Sequence, residues 1–78
     1  PYTVLGDGCE VGRGAGVRHS LLWDGVIVEP GANVDSSIVA SRVRIGTGAV
    51  VRPGSVIGHD SVIAPGSLIE EDARVTAH

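Results

Sequence analysis

Three histidines, one cysteine and two glycine-framed turns are the residues of this chain best equipped for chemistry. His19, His59 and His78 invite a metal reading, because neutral imidazole is a common ligand. Their separations, 40 and 19 residues, match no ligand motif of close spacing. In Ile57-Gly58-His59-Asp60 a carboxylate follows a histidine, as a general base with an orienting acid requires. Consecutive turn residues point in different directions, which weakens that pair. Cys9, the single cysteine, makes no internal disulfide and fits no zinc pattern. Gly6-Asp7-Gly8 and Gly12-Arg13-Gly14 look like phosphate cradles, but such loops lead into a helix N-terminus and no helical pattern follows either. Trp23, in Leu21-Leu22-Trp23-Asp24-Gly25, is expected to cover a corner or a domain contact. No catalytic and no metal-ligating residue is assigned on these grounds.

The elements that must position these residues are legible in the composition. The 78 residues include 13 Val and 6 Ile against 4 Leu, with no Lys, Met, Phe or Gln. Branched aliphatics without helix formers read as all-β, and 12 Gly with 4 Pro read as many short strands joined by turns. A net charge of −3 excludes a general nucleic-acid binder and offers an anionic membrane nothing to attract. No apolar run approaches the roughly 18 residues of a membrane span, and no charged segment leads an apolar one as in a signal peptide. With one cysteine, these features give the expectation of a cytoplasmic chain. The start at Pro1 gives the expectation of a domain cut from a longer polypeptide.

A hexad runs the whole length. Its key residues are Leu5, Val11, Val17, Leu22, Val28, Val34, Val39, Ile45, Val51, Ile57, Ile63, Ile69 and Val75. Every step is six residues except Val17 to Leu22 and Val34 to Val39, which are five. Two residues before each later key stands a small or β-branched one: Cys9, Ala15, Ser20, Val26, Ala32, Ser37, Val43, Ala49, Ser55, Ser61, Ser67 and Ala73. Residues two apart share a face of a strand, so both members of each pair point inward. Both short units keep this pair intact, so the missing residue belongs to the turn. Gly8, Gly14, Gly25, Gly31, Gly48, Gly54 and Gly66 fill the turns, three of them after proline.

A flat sheet cannot turn every six residues; a three-sided prism can. The chain therefore reads as one domain over 1–78, a parallel β-helix with three faces per coil and about four coils of 17 to 18 residues. Equivalent residues of successive coils stack at the inter-strand spacing of about 4.8 Å. One outward column, Arg18, Asp35, Arg52 and Glu70, alternates in sign and is expected to be an ion-pair ladder. A second, Leu21, Ile38 and Val56, ends in Arg74; its aliphatics, with Trp23, are the candidate interface, and Val50 with Leu68 form a weaker one. Both prism ends are open strand edges, so a covering domain or association of prisms is expected.

The hexads resemble the hexapeptide-repeat, left-handed β-helix superfamily over essentially the whole chain; left-handedness is implied by that resemblance. Acyltransferases of the superfamily use one histidine as general base and often extrude a loop to build the pocket, and here the repeat has no such interruption. The stretch Ser20-Leu21-Leu22-Trp23-Asp24-Gly25-Val26-Ile27-Val28 and the later Val34-Asp35-Ser36-Ser37-Ile38-Val39 resemble a narrower group. They are similar to the C-terminal β-helix of sugar-phosphate nucleotidyltransferases, of the mannose-1-phosphate guanylyltransferase and glucose-1-phosphate adenylyltransferase type. The resemblance implies a non-catalytic domain that packs on an N-terminal catalytic domain, assembles homo-oligomers and can transmit regulation. The catalytic domain would use Mg2+, and no cofactor is implied for this chain. The alternative it leaves is a hexapeptide acyltransferase or a fragment of one.

Overall fold

The computed structural model describes residues 3–76. The first coil carries β1 (Val4–Leu5), β2 (Glu10–Val11) and β3 (Gly16–Arg18). The second carries β4 (Leu21–Leu22), β5 (Ile27–Val28) and β6 (Asn33–Asp35), and the third β7 (Ile38–Val39), β8 (Arg44–Ile45) and β9 (Val50–Val51). The fourth holds β10 (Val56–Ile57), β11 (Val62–Ile63) and β12 (Leu68–Ile69), and β13 (Arg74–Val75) opens a fifth. Every third strand joins one sheet, giving the three faces β1-β4-β7-β10-β13, β2-β5-β8-β11 and β3-β6-β9-β12. All pairings are parallel. On the first face the register joins Leu5 to Leu22, Leu22 to Val39, Val39 to Ile57 and Ile57 to Val75. Those steps are 17, 17, 18 and 18 residues, the coil lengths read from the hexads.

Inward pairs fill the prism. Val26, Val28, Ala32, Val34, Val39, Val43, Ile45, Ala49, Val51 and Ile57 are all buried in one cluster. Buried serines serve a second purpose at the corner between the third and first faces. Ser20 Oγ donates to the Arg18 carbonyl at 2.8 Å and accepts the Ser37 amide at 3.1 Å. Ser55 Oγ lies 2.8 Å from the Arg52 carbonyl and 2.9 Å from that of Glu70. A corner breaks the ladder, and these hydroxyls add a second donor to its carbonyls: Arg18 O also takes the Ser36 amide, Arg52 O the Ser37 hydroxyl and Glu70 O the Ala73 amide.

The seven turn glycines are the seven with positive φ. Five other residues share that conformation: His19, Ser36, Arg42, Asp60 and Asp72. His19 and Ser36 fall in the two five-residue steps, so the short corners turn on a single left-handed residue. Gly46 answers a different need. A Cβ there would stand 2.5 Å from Pro65 N and 2.7 Å from the Ile63 carbonyl oxygen of the next coil.

Candidate interaction surface

The first face presents its outward column to solvent. Val4, Leu21, Ile38 and Val56 are neighbours by register, and Arg74 closes the column. Val4, Ile38 and Val56 are exposed and Leu21 is half-buried. Shallow depressions of about 220 Å3 and about 320 Å3 flank the Val4 and Leu21 side chains. Val4, outside the expected candidate interface, joins the column because it precedes the key Leu5 as Leu21 precedes Leu22. Val50 and Leu68 are register partners and exposed on the third face, and Val62, on the second face, is 73% exposed.

Beyond the strand ends of the first face lies a polar corner. The Trp23 and His59 rings meet edge to face, centroids 5.4 Å apart, across the intervening third coil. The indole is exposed. The Ser41 amide donates to His59 Nδ1 at 3.2 Å, so the neutral ring carries its proton on Nε2. Asp60 does not orient His59. Its carboxylate accepts from Arg42 Nε at 2.7 Å and Nη2 at 3.3 Å, and this fork holds the Asp60 carboxyl below the usual carboxylate range. The adjacent acid and base of the sequence are thus separated, because neighbouring turn residues diverge.

The alternating column is a stack of charges, but the ion pairs form elsewhere. Arg18 and Asp35 are register partners, and Asp35 accepts from Ser36 Oγ at 3.1 Å. Among the described residues the ion pairs are Arg42–Asp60 and Arg44–Glu29, at 2.7 and 3.0 Å. Arg42 and Asp60 are 18 residues apart, one coil length, a signal present in the sequence. Arg44 reaches Glu29 diagonally over 15 residues, which no column would show. His19 and His59 occupy different corners, and His78 lies outside the described residues. Among the described residues, no three His, Cys, Asp or Glu side chains gather as a metal site would need. Cys9, half-buried against the core, points its Sγ at the Trp23 carbonyl, 2.9 Å away.

The profile of the EIF2B subunit epsilon LbH domain matches residues 2–75. The chain belongs to this LbH, or left-handed β-helix, family. That membership supplies the hand of the coil, which hexad counting leaves open. The LbH domain is also 44% identical over 50 residues to the glucose-1-phosphate adenylyltransferase of Corynebacterium jeikeium (strain K411), covering 64% of this chain. It is 38% identical over 56 residues to the bifunctional protein GlmU of Cupriavidus pinatubonensis, and 38% over 58 residues to GlmU of Anaeromyxobacter sp., covering 72% and 74% of this chain. In each case the match spans 12% of the relative's length. The sequence resemblance to the adenylyltransferase group is therefore met by a direct relative. Among the described residues no helix is long and apolar enough to cross a membrane.

Proposed function

We propose that this LbH domain is a non-catalytic assembly domain of a nucleotidyltransferase that makes nucleotide-sugars from a nucleoside triphosphate and a sugar 1-phosphate. One observation carries the reading: the prism axis is filled by its own side chains, while an unbroken apolar column lies outside on one face. A filled interior offers no reaction chamber, and an exposed aliphatic ridge offers a contact. The likeness to a glucose-1-phosphate adenylyltransferase supports the reaction class. The partners in this reading are an N-terminal catalytic domain of the same polypeptide and further copies of it, in the cytoplasm. Mg2+ would be held by that catalytic domain. Regulation, where present, would pass through the same contacts.

The test is the parent enzyme with and without this segment, assayed for nucleotidyl transfer and oligomeric state. Changed assembly, with the chemistry retained at reduced stability, is expected. Deletion that alters neither property overturns the proposal. The acyltransferase alternative requires a free base, whereas the Nδ1 lone pair of His59 is engaged by the Ser41 amide and its neighbouring acid by Arg42. Acetyl-CoA binding by the chain would reinstate it.

A further inference from the structure

Trp23 stands two residues after Leu21, so its side chain leaves the first face outward beside it. Its register equivalents in the other coils are Gly6, Ala40 and Gly58, all small. The indole therefore has no neighbour of its own size in its column, and a notch of about 220 Å3 opens beside it. Gly6, Val4 and Leu21 line the notch with Trp23, and Asp24 and Ser41 supply its polar groups. Packing keeps the notch open from the first coil, because a Cβ on residue 6 would stand 2.8 Å from both Asp24 N and Trp23 C. The indole is 45% exposed, and its orientation is supported by the edge of His59, which the Ser41 amide holds in turn. Asp24 Oδ1 accepts the Asp7 amide at 2.8 Å, which fixes the carboxylate. No hydrogen bond among the described residues engages Asp24 Oδ2 or Ser41 Oγ. The arginine of this corner, Arg42, is forked to Asp60, and Asp7 and Asp24 leave the rest of it acidic.

We propose that this notch binds one ring of an uncharged saccharide. A pyranose carries polarised C–H bonds on one face and hydroxyls around its edge. The C–H face stacks on the exposed indole, whose π face is negative. An edge hydroxyl donates to Asp24 Oδ2, a charge-assisted bond to a carboxylate already held in place. A second hydroxyl exchanges a hydrogen bond with Ser41 Oγ. Charge decides against anionic ligands. A phosphorylated sugar or a nucleotide would meet the Asp7 and Asp24 carboxylates with Arg42 already committed to Asp60. Size decides the extent. The notch is smaller than the roughly 300–1,000 Å3 of pockets that enclose a drug-sized ligand, so it holds one ring and leaves the rest of any chain in solvent. Few contacts in an open site place the Kd of a single ring on the order of millimolar. The site is independent of the assembly role proposed above, and either reading stands if the other fails.

Trp23 is the single tryptophan of the chain, so its emission reports on the notch directly. Glucose, mannose and galactose, each titrated to about 100 mM, should include at least one that changes this emission saturably. Amide shifts with that sugar should centre on Gly6, Trp23, Asp24 and Ser41. Sorbitol, which has the hydroxyls without the ring face, should give no saturable change. The 1-phosphate of the same sugar should bind more weakly than the sugar itself. Binding to variants is read from saturation transfer to the sugar protons, after circular dichroism has matched each variant to the unsubstituted chain. Trp23→Ala should abolish it, Trp23→Tyr should retain part of it, and Asp24→Asn should weaken it about five- to tenfold. No saturable response to any of the three hexoses overturns the proposal, as does equal binding of sorbitol. Binding that survives Trp23→Ala, tighter binding of the 1-phosphate, or shifts centred on another face also overturns it. Saturation by tetramethylammonium with no response to a hexose assigns the corner to cations instead and overturns it too.

Discussion

The first and third coils are built from the same hexad and end in different states. In the third coil the keys Val39, Ile45 and Val51 are 0, 0 and 1% exposed. In the first, Leu5 and Val11 remain 50 and 43% exposed, and Val17 is half-buried. The residue types and inward aim are alike. What differs is the number of neighbouring coils among the described residues: there the third lies between two and the first borders one. In a solenoid, burial is a property of the stack, because each repeat contacts only its neighbours. A key residue contributes its full apolar area only where coils above and below exclude water.

The contrast is open to breakage in graded steps. Gly46→Ala should be the most disruptive change, by several kcal/mol, because its Cβ would meet backbone atoms of the next coil that cannot yield without parting the third and fourth coils. Urea denaturation would register this as loss of the cooperative transition or a strongly lowered midpoint. Ile45→Ala comes next, at about 2–5 kcal/mol for a fully buried aliphatic. Leu5→Ala, the same kind of truncation in the first coil, should be at most about 1 kcal/mol. Equal losses for the two in parallel urea titrations would contradict the stacking account. Ser55→Ala should lower stability by about 0.5–1.5 kcal/mol, since the Arg52 and Glu70 carbonyls lose its hydroxyl but keep the Ser37 hydroxyl and the Ala73 amide.

The smallest effect concerns the exposed Arg42–Asp60 pair. Hydrogen bonding to Arg42 depresses the folded-state pKa of Asp60. Its contribution is therefore present above the unfolded carboxylate value of about 3.9 and lost as pH falls through the depressed folded one. Thermal melts of the chain and of Asp60→Asn should differ slightly at pH 5 and converge as the pH falls through the depressed folded value of Asp60. A difference that persists in acid would assign the Asp60 effect to something other than its charge.

Much of the architecture was legible beforehand because it is local. The pairing of small residue and key two apart sets the inward columns, and the five-residue steps locate the tight corners at His19 and Ser36. The site was less legible. Val4 belongs to the apolar column by the same rule as Leu21, each directly preceding a key, but it stands in the first coil, where only the register shows that it continues the column. The left-handed corners at Arg42, Asp60 and Asp72 carry no glycine to announce them. The alternating charges were read by column, whereas flexible arginines choose partners by reach: Arg44 crosses to Glu29 and Arg42 spans one coil to Asp60.

By itself, then, the order of residues determined the period, the three faces and the lining of the axis, since strand alternation and turn chemistry act within a few positions. Tertiary structure alone decided which keys escape water, which charges meet, and that Trp23 lies against His59 two coils away. Those outcomes depend on stacking and on side-chain length across the gap between coils, quantities that a repeating pattern does not contain.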